Sequence, residues 1–431
     1  MTTISDPPPQ GSFRLSMLIN DTRYRSYTFQ FIALGVLIAS IAYLMSNLAT
    51  NLAAAGLNIS YEFLGEPAGY DINQRLIEYN SQSTHLRATV VGVLNTLLVA
   101  FLACATATVF GVVAGVLRLS NNWLVARLMS AYVEAFRNVP VLIWIIIIFT
   151  IMIAVMPAPR VFRPDGATDA TAYLFAATNR GIYIPAPYFE YGFSADALSE
   201  GGRRARGLAG LAASGALNWL LLIALLVGSW RVARWNTKRA DIIQETTGQR
   251  PGTFLANLAI WVAPVALACL LLGLRFELPT IAERGIPRFD GGITVRGSLI
   301  ALWFALAIYT GAFIAENVRA GIQAISKGQT EAAASLGLRA GRIMNLVVLP
   351  QALRVIIPPL ISQYLNITKN SSLAIAVGYM DITGTLGGIT LNQTGRAIEC
   401  VLLLMLFYLT ISLCISAVMN VYNNSVKLKE R

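Results

Sequence analysis

An all-α integral membrane protein with about eight transmembrane helices is the fold class that the sequence predicts. The first observation is composition: 55% of the 431 residues are hydrophobic and 13% are charged, whereas soluble domains carry about 25% charged residues. The second is that the apolar residues form long uncharged stretches, each near the roughly 20 residues that cross the hydrocarbon of a bilayer. Because these stretches are continuous rather than alternating, they favour helices over the strands of a membrane barrel.

Eight stretches meet this length requirement. In chain order, the predicted spans are Tyr27–Thr50, Ala88–Leu117, Val139–Pro159, Gly207–Trp230, Pro251–Leu274, Gly297–Ala315, a segment from Val355 that Lys369 interrupts, and Cys400 to about Tyr422. A charged segment precedes the first span, and its apolar run is longer than the core of a signal peptide. We therefore interpret it as a retained span.

Basic residues predict the orientation, because loops on the cytoplasmic side of a membrane hold an excess of Lys and Arg. If both termini lie inside, the cytoplasmic segments hold more basic residues than the outer segments. Residues 1–26 and 423–431 are therefore predicted to be cytoplasmic tails, and residues 51–87 a periplasmic loop. An additional N-terminal span at 27–50 then precedes a transmembrane domain over 88–422. The same loops account for the net charge of +11, and no run of Lys and Arg indicates a nucleic-acid partner.

Two predicted outer segments are long, 51–87 and 160–206, and both are polar with aromatic, Gly and Pro residues. Small lids, contacts with a periplasmic partner and passive connectors are all compatible with this composition.

Residues that support enzyme chemistry are scarce. Cys104, Cys269, Cys400 and Cys414 lie in apolar segments without a CxxC pair, which predicts free thiols that behave as small apolar side chains. His85 is the only histidine, so a histidine-built zinc site and a triad with a second histidine are excluded. No GxxxxGK[ST] loop occurs, so the chain is not predicted to bind and hydrolyse ATP. Neither catalytic nor metal-ligating residues are therefore predicted.

The most informative segment is predicted to be cytoplasmic and follows the sixth span. Ser326 and Gln329 form a capping-box pattern that predicts a helix start, and Gly337 predicts its end in a left-handed conformation. Ala332, Ala333, Ala334 and Ser335 give the helix small side chains, so another surface can approach closely, and Glu331 suits the first turns of a helix. A second helix is predicted beyond Gly337, stopped by Pro350. On physical grounds alone, an ordinary amphipathic connector between two spans remains an alternative.

This segment resembles the EAA loop of ABC-importer permeases, in which EAA is followed by three residues, Gly, nine residues, Ile, one residue and Leu-Pro. The matching residues are Glu331, Ala332, Ala333, Gly337, Val347 in place of Ile, Leu349 and Pro350. The resemblance implies that the loop docks into a groove on a separate ATP-binding subunit and transmits nucleotide-driven closure to the spans.

Three further segments resemble the polar-amino-acid (histidine/glutamine-type) permeases of that family. They are Gly311–Gln329, Thr368–Gly378 with Asn370 for Asp and Ser371 for Thr, and Tyr132–Phe149 with Val139 for Thr. The usual core of the family has five spans. The additional N-terminal span and an inserted loop and hairpin at about 160–296 are similar to the enlarged general L-amino-acid permeases, including those for glutamate, glutamine, aspartate and asparagine.

The resemblance implies a type I ABC-importer (MetI-like) transmembrane domain in a bacterial inner membrane. It implies three protein partners besides membrane lipid: an ATP-binding subunit that holds ATP and Mg²⁺, a second, related permease subunit and a periplasmic amino-acid-binding protein. No cofactor is expected on this chain, which would not itself be an enzyme. The alternatives are a secondary transporter or channel driven by an ion gradient, which predicts interrupted spans in repeated halves, and a non-transporting scaffold or a membrane enzyme.

Lys369 is the one charge predicted inside the membrane, where charges are costly and often functional. One hypothesis is that Lys369, with Asn366, Asn370 and Ser371, attracts the α-carboxylate of a substrate. The alternative is a lysine that extends towards the interface or pairs structurally. Elsewhere, Glu134 and Arg137 have the spacing of a helical ion pair, and Asn95 and Thr96 are expected to form hydrogen bonds between helices.

Overall fold

The computed structural model describes residues 19, 22–54, 56, 58–163, 171–191, 216–281 and 287–426. Within these residues, eight helices are long and apolar enough to cross a membrane, so the predicted fold class and number of spans are confirmed. Most of the predicted N-terminal tail and the end of the predicted C-terminal tail lie outside the described residues, as do 192–215, which include the start of the predicted fourth span.

The helices, in chain order, are α1 Thr22–Ala54, α2 His85–Leu117, α3 Trp123–Asn138, α4 Val141–Val155, α5 Ala216–Thr247, α6 Phe254–Leu271, α7 Gly297–Gln323, α8 Lys327–Ser335, α9 Ala340–Ile343, α10 Leu349–Asn370, α11 Leu391–Thr394 and α12 Ala397–Val426. A π-helical segment, Met344–Val348, joins α9 to α10, and α10 continues into a 3-10 segment, Ser371–Val377. A second π-helical segment, Thr383–Thr390, precedes α11.

The chain forms two compact units, Met1–Leu64 and Gly65–Arg431. In the first, α1 exposes nearly all of its described side chains, most of which are apolar. An apolar helix that is exposed on all sides suits a lipid environment.

Two helices run well past the ends predicted for their spans. The fourth span is predicted to end at Trp230, but α5 continues to Thr247, and the sixth is predicted to end at Ala315, but α7 continues to Gln323. The physical reason is that hydropathy marks the part of a helix that lies in lipid, whereas hydrogen bonding continues the helix into the aqueous region.

The centre of the second unit is α7, which packs against α2, α3, α4 and α10. Its contact with α2 is close because glycines line it. A Cβ added at Gly111 would lie 2.5 Å from Cβ of Ile314, and one at Gly115 would lie 2.7 Å from the carbonyl oxygen of Ala315. The GxxxG spacing of Gly111 and Gly115 is typical of close helix packing in membranes, so the sequence itself contains a signal for this interface.

The segments on either side of the α5–α6 hairpin fold together, a pairing that the sequence patterns did not predict. Their strands are β1 Thr171–Ala172, β2 Ala176–Thr178, β3 Gly181–Ile184, β4 Ala186–Phe189, β5 Leu274–Glu277, β6 Thr280–Ile281, β7 Phe289–Asp290 and β8 Ile293–Arg296. Antiparallel pairing gives the sheets β1-β6-β7, β2-β3-β8 and β4-β5. We call this the outer module, after the side of the membrane that the sequence predicts for these segments; its core includes the stacked rings of Tyr183 and Phe289, whose centroids are 4.5 Å apart. The described part of 160–206 is therefore a folded structure rather than a passive connector.

The predicted loop at 51–87 is also anchored, in its second half, to membrane segments. The Asn95 amide of α2 donates to the carbonyl oxygens of Gln74, at 2.7 Å, and Met380, at 2.8 Å. The Thr96 hydroxyl accepts from the backbone N–H of Ile382 at 3.1 Å. The prediction of helix–helix hydrogen bonds is therefore right for Thr96, whose partner Ile382 begins a helical segment, and wrong for Asn95, whose partners Gln74 and Met380 lie outside helices. These bonds join the outer loop, α2 and the segment that follows α10.

Candidate functional site: the coupling segment between α7 and α10

The candidate coupling helix is α8, and it begins at the predicted position. Ser326 is its N-cap residue, with the backbone N–H of Gln329 donating to the Ser326 carbonyl oxygen at 3.2 Å. The Ser326 hydroxyl makes no capping hydrogen bond, so the predicted reciprocal capping box is wrong although the helix start is right. The extended backbone of Ser326 starts the helix without the side-chain bond.

Gly337 ends the helix as predicted. Its φ is +75°, in the left-handed region, and its N–H donates to the carbonyl oxygen of Ala334 at 2.9 Å. A Cβ added there would meet no atom within 4 Å. The need for glycine is therefore conformational rather than spatial, because a positive φ is unfavourable for residues that carry a Cβ.

The second half of α8 exposes small side chains beside the carboxylate of Glu331, and a large apolar side chain follows the helix. Ala333 is buried, whereas Glu331, Ala332 and Ala334 are exposed. Leu336, directly after the helix, is 80% exposed. Leu336 is not among the predicted site residues, because its exposure depends on how α8 turns at Gly337.

The prediction that Pro350 stops a second helix is wrong. The chain is helical from Ala340 to Val377, and Leu349 and Pro350 begin α10 after the π-helical segment. Proline is tolerated in the first turn of a helix, where its missing N–H is not needed. The motif residues Leu349 and Pro350 therefore lie at the base of the seventh span and do not separate it from the coupling segment.

A cluster of charges lies in the last third of α7, the helix that precedes α8. The Glu316 carboxylate forms ion pairs with Arg118 and Arg319, and Arg137 Nη1 lies 3.7 Å from Glu316 Oε2. The predicted pair of Glu134 with Arg137 is wrong, because Glu134 instead accepts from the Asn138 amide at 3.4 Å. Helical spacing predicted a local partner for Arg137, whereas the packing of α3 on α7 supplies a distant one. The cluster ties the C-terminal parts of α2, α3 and α7 together.

The candidate substrate residues fall at the end of α10. Asn366 and Lys369 are exposed, Asn370 is half-buried, and their spacing places all three on one side of the helix. Ser371 points elsewhere: it is fully buried, and its hydroxyl donates to the carbonyl oxygen of Thr368 at 2.8 Å. The structure thus brings three of the four residues together and separates Ser371 from them.

These features define a class of protein: a multi-span membrane protein with a short exposed helix in the segment between two of its spans. Residues 248–428 match the family model described as "Binding-protein-dependent transport system inner membrane component". The glutamate/glutamine/aspartate/asparagine transport system permease protein of Rhodobacter capsulatus is 51% identical over 100% of both chains. The general L-amino acid transport system permease protein of Rhizobium johnstonii is 40% identical over 97% of this chain and 96% of its own.

The chain therefore belongs to the family of amino-acid ABC-transporter permeases, as a membrane-spanning subunit of an importer, and the predicted family is confirmed. A solved amino acid ABC transporter, crystallised with histidines, aligns with a TM-score of 0.42 and 18% identity, covering 79% of this chain and 95% of that one.

Proposed function

We propose that this chain is the permease subunit of a bacterial inner-membrane importer for polar L-amino acids, with glutamate, glutamine, aspartate and asparagine among its substrates. The observation that carries the proposal is the 51% identity, over the full length of both chains, to a relative whose name gives those four amino acids. A periplasmic amino-acid-binding protein delivers the substrate, and a second, related permease completes the pathway.

We propose further that α8 is the surface on which a separate ATP-binding subunit docks, and that ATP and Mg²⁺ are held by that subunit. The small side chains of Ala332 and Ala334 allow close approach, and the exposed Leu336 is an apolar anchor for a pocket on the partner. Buried apolar anchors carry much of the binding energy of an interface. The ATPase activity then belongs to the complex and not to this chain.

Motion of α8 reaches the membrane through α7. Only Ala324, Ile325 and Ser326 separate the two helices, and α7 packs against four others in the bundle. A displacement of α8 when two ATP-binding subunits close therefore tilts α7 and, with it, the helices that line the pathway. The result is alternating access, in which the substrate is exposed first to the outer side and then to the cytoplasm.

The test is substitution of Leu336 with Asp in the assembled transporter. We expect loss of most ATP-binding subunit on purification and loss of ATP-dependent uptake, because the anchor would carry a charge into an apolar pocket. Leu174→Asp is the matched control, since Leu174 is 75% exposed in the outer module. Equal retention of the ATP-binding subunit by the two variants would overturn the docking assignment.

A further inference from the structure

The predicted cytoplasmic half of α5 carries a basic and aromatic surface with no role in the coupling mechanism. The residues of this surface, which we call the α5 basic face, are Trp230, Arg231, Arg234, Trp235, Lys238 and Arg239. All six are exposed. At about 100° per residue, they occupy one half of the helix circumference.

The other half of α5 is occupied by contacts with α6. Ala233 and Ala240 are buried, the Asn236 amide donates to Asn257 at 2.8 Å, and the Asn257 amide donates to the Thr237 hydroxyl at 3.1 Å. The α5 basic face is therefore directed away from α6, its main neighbour in the bundle.

The charges of this face are all positive. Arg231, Arg234, Lys238 and Arg239 form no ion pair with any residue that the structure describes. The nearest acid along the chain, Asp241, is paired with Arg250 at 2.8 Å. Four cations therefore lie within nine residues of one helix without a counter-charge. Their charge is balanced either by an anionic partner or by full hydration.

The two tryptophans indicate where this partner lies. The Arg234 guanidinium lies 4.2 Å from the Trp230 ring centroid, and that of Arg239 lies 5.8 Å from the ring centroid of Trp235. These contacts hold the cations beside aromatic rings. An apolar stretch from Trp219 to Gly228 precedes Trp230, so the rings of Trp230 and Trp235 fall where the helix leaves the hydrocarbon, the level at which Trp is enriched.

We propose that the α5 basic face binds the headgroups of anionic phospholipids, with the phosphodiester placed among Arg231, Arg234 and Lys238. The cytoplasmic leaflet supplies such lipids and attracts basic residues close to its surface. The site would fix the α5–α6 hairpin, which is joined to the rest of the chain mainly through the outer module, at the inner membrane surface. This inference does not depend on the assignment of α8 as the docking helix.

The experiment uses the complete transporter in nanodiscs of phosphatidylcholine with about 30% phosphatidylglycerol, a fraction that gives an anionic surface. Brominated phosphatidylglycerol, exchanged against the unbrominated lipid, quenches the fluorescence of nearby tryptophans, and brominated phosphatidylcholine serves as the neutral comparison. We expect stronger quenching by the anionic lipid in the wild type. Arg231→Gln/Arg234→Gln is expected to weaken the apparent affinity for the anionic lipid about 25-fold, from about fivefold for each of the two cations removed near a charged surface.

Arg25→Gln/Arg127→Gln is the matched control, because it removes the same charge from exposed positions on the predicted inner side. Arg231→Lys/Arg234→Lys keeps the charge and should keep most of the preference, which separates loss of binding from misfolding. The proposal fails if the two Gln variants lose the same affinity for the anionic lipid. It fails as well if inorganic phosphate abolishes the stronger quenching by that lipid, which would indicate a site for a free anion. It also fails if the stronger quenching by the anionic lipid is lost when the ATP-binding subunit is removed. That result would indicate that the α5 basic face contacts an acidic protein surface.

Discussion

Arg118, at the C-terminal end of α2, and Glu316, in α7, form an ion pair whose side chains are 10% and 22% exposed. Glu316 also pairs with Arg319 and lies near Arg137. A single carboxylate therefore neutralises cations from three helices, and it belongs to the helix that leads into α8. From this position we expect the cluster to keep α2, α3 and α7 together when α8 moves.

Replacing Glu316 with Gln should destabilise the protein by about 2 kcal/mol, below the roughly 3–5 kcal/mol typical of a fully buried pair because the cluster is partly exposed. The substitution leaves Arg118 in a largely buried position without its counter-charge. Thermal unfolding in detergent measures the effect. Asp241→Asn is the control, because it breaks the ion pair with Arg250, in which both side chains are 52% exposed. This variant should change stability by less than about 1 kcal/mol. Similar shifts in the two variants would argue against a structural role for the cluster.

Gly337→Ala should impair coupling, because φ of +75° costs about 1–2 kcal/mol for a residue with a Cβ. The strain disfavours the turn that exposes Leu336. We expect lower ATPase stimulation by substrate and a milder effect of Gly337→Asn, since Asn tolerates this conformation better. Gly328→Ala is the matched control: it lies in α8 with no atom within 4 Å of an added Cβ and no positive φ. Equal activity of Gly337→Ala and Gly328→Ala would contradict the prediction.

Gly111→Ala should loosen the contact of α2 with α7, because its Cβ would lie 2.5 Å from Ile314 and force the helices apart. Overpacking of this kind costs about 1–3 kcal/mol. A lower melting temperature in detergent is the expected result. Gly228→Ala, in a helix where an added Cβ meets no atom, should leave the melting temperature nearly unchanged. The GxxxG interpretation is untenable if the two variants melt together.

Lys369→Met tests the proposed role of Lys369 in attracting the substrate carboxylate. We expect a large loss of uptake with normal assembly of the complex, because the exposed ammonium would no longer complement the carboxylate. Lys369→Arg keeps the charge and should retain part of the uptake. Near-normal transport by the Met variant would leave the alternative, a lysine that extends towards the interface.

Asp381, between α10 and α11, should make stability depend on pH. Burial raises the pKa of its carboxyl to about 7, although the Gly384 N–H, 2.8 Å from Oδ1, opposes that shift. The folded state therefore prefers the neutral acid, so this stabilisation is complete below about pH 4 and is lost as pH rises through about 7. The melting temperature of the wild type should fall relative to that of Asp381→Asn between about pH 4 and 7. Parallel curves for the two proteins would refute this.

Much of the architecture could be predicted because its signals are local. Eight apolar stretches predicted eight spans, since lipid imposes a minimum length on every crossing helix. The conformational freedom of glycine predicted the end of α8 at Gly337, and the spacing of Glu331, Ala332, Ala333 and Gly337 indicated the family. Each of these depends on neighbouring residues only.

The remainder was decided by which faces meet in three dimensions. Arg137 approaches Glu316 rather than Glu134, β3 pairs with β8 across the inserted hairpin, and Ser371 turns into the core away from Lys369. Sequence spacing cannot rank such distant partners, because the free energy of each contact depends on the burial and packing that the complete bundle creates. The family of the chain could thus be predicted from its sequence. The exposure of Leu336 and of the α5 basic face could be found only from the tertiary structure.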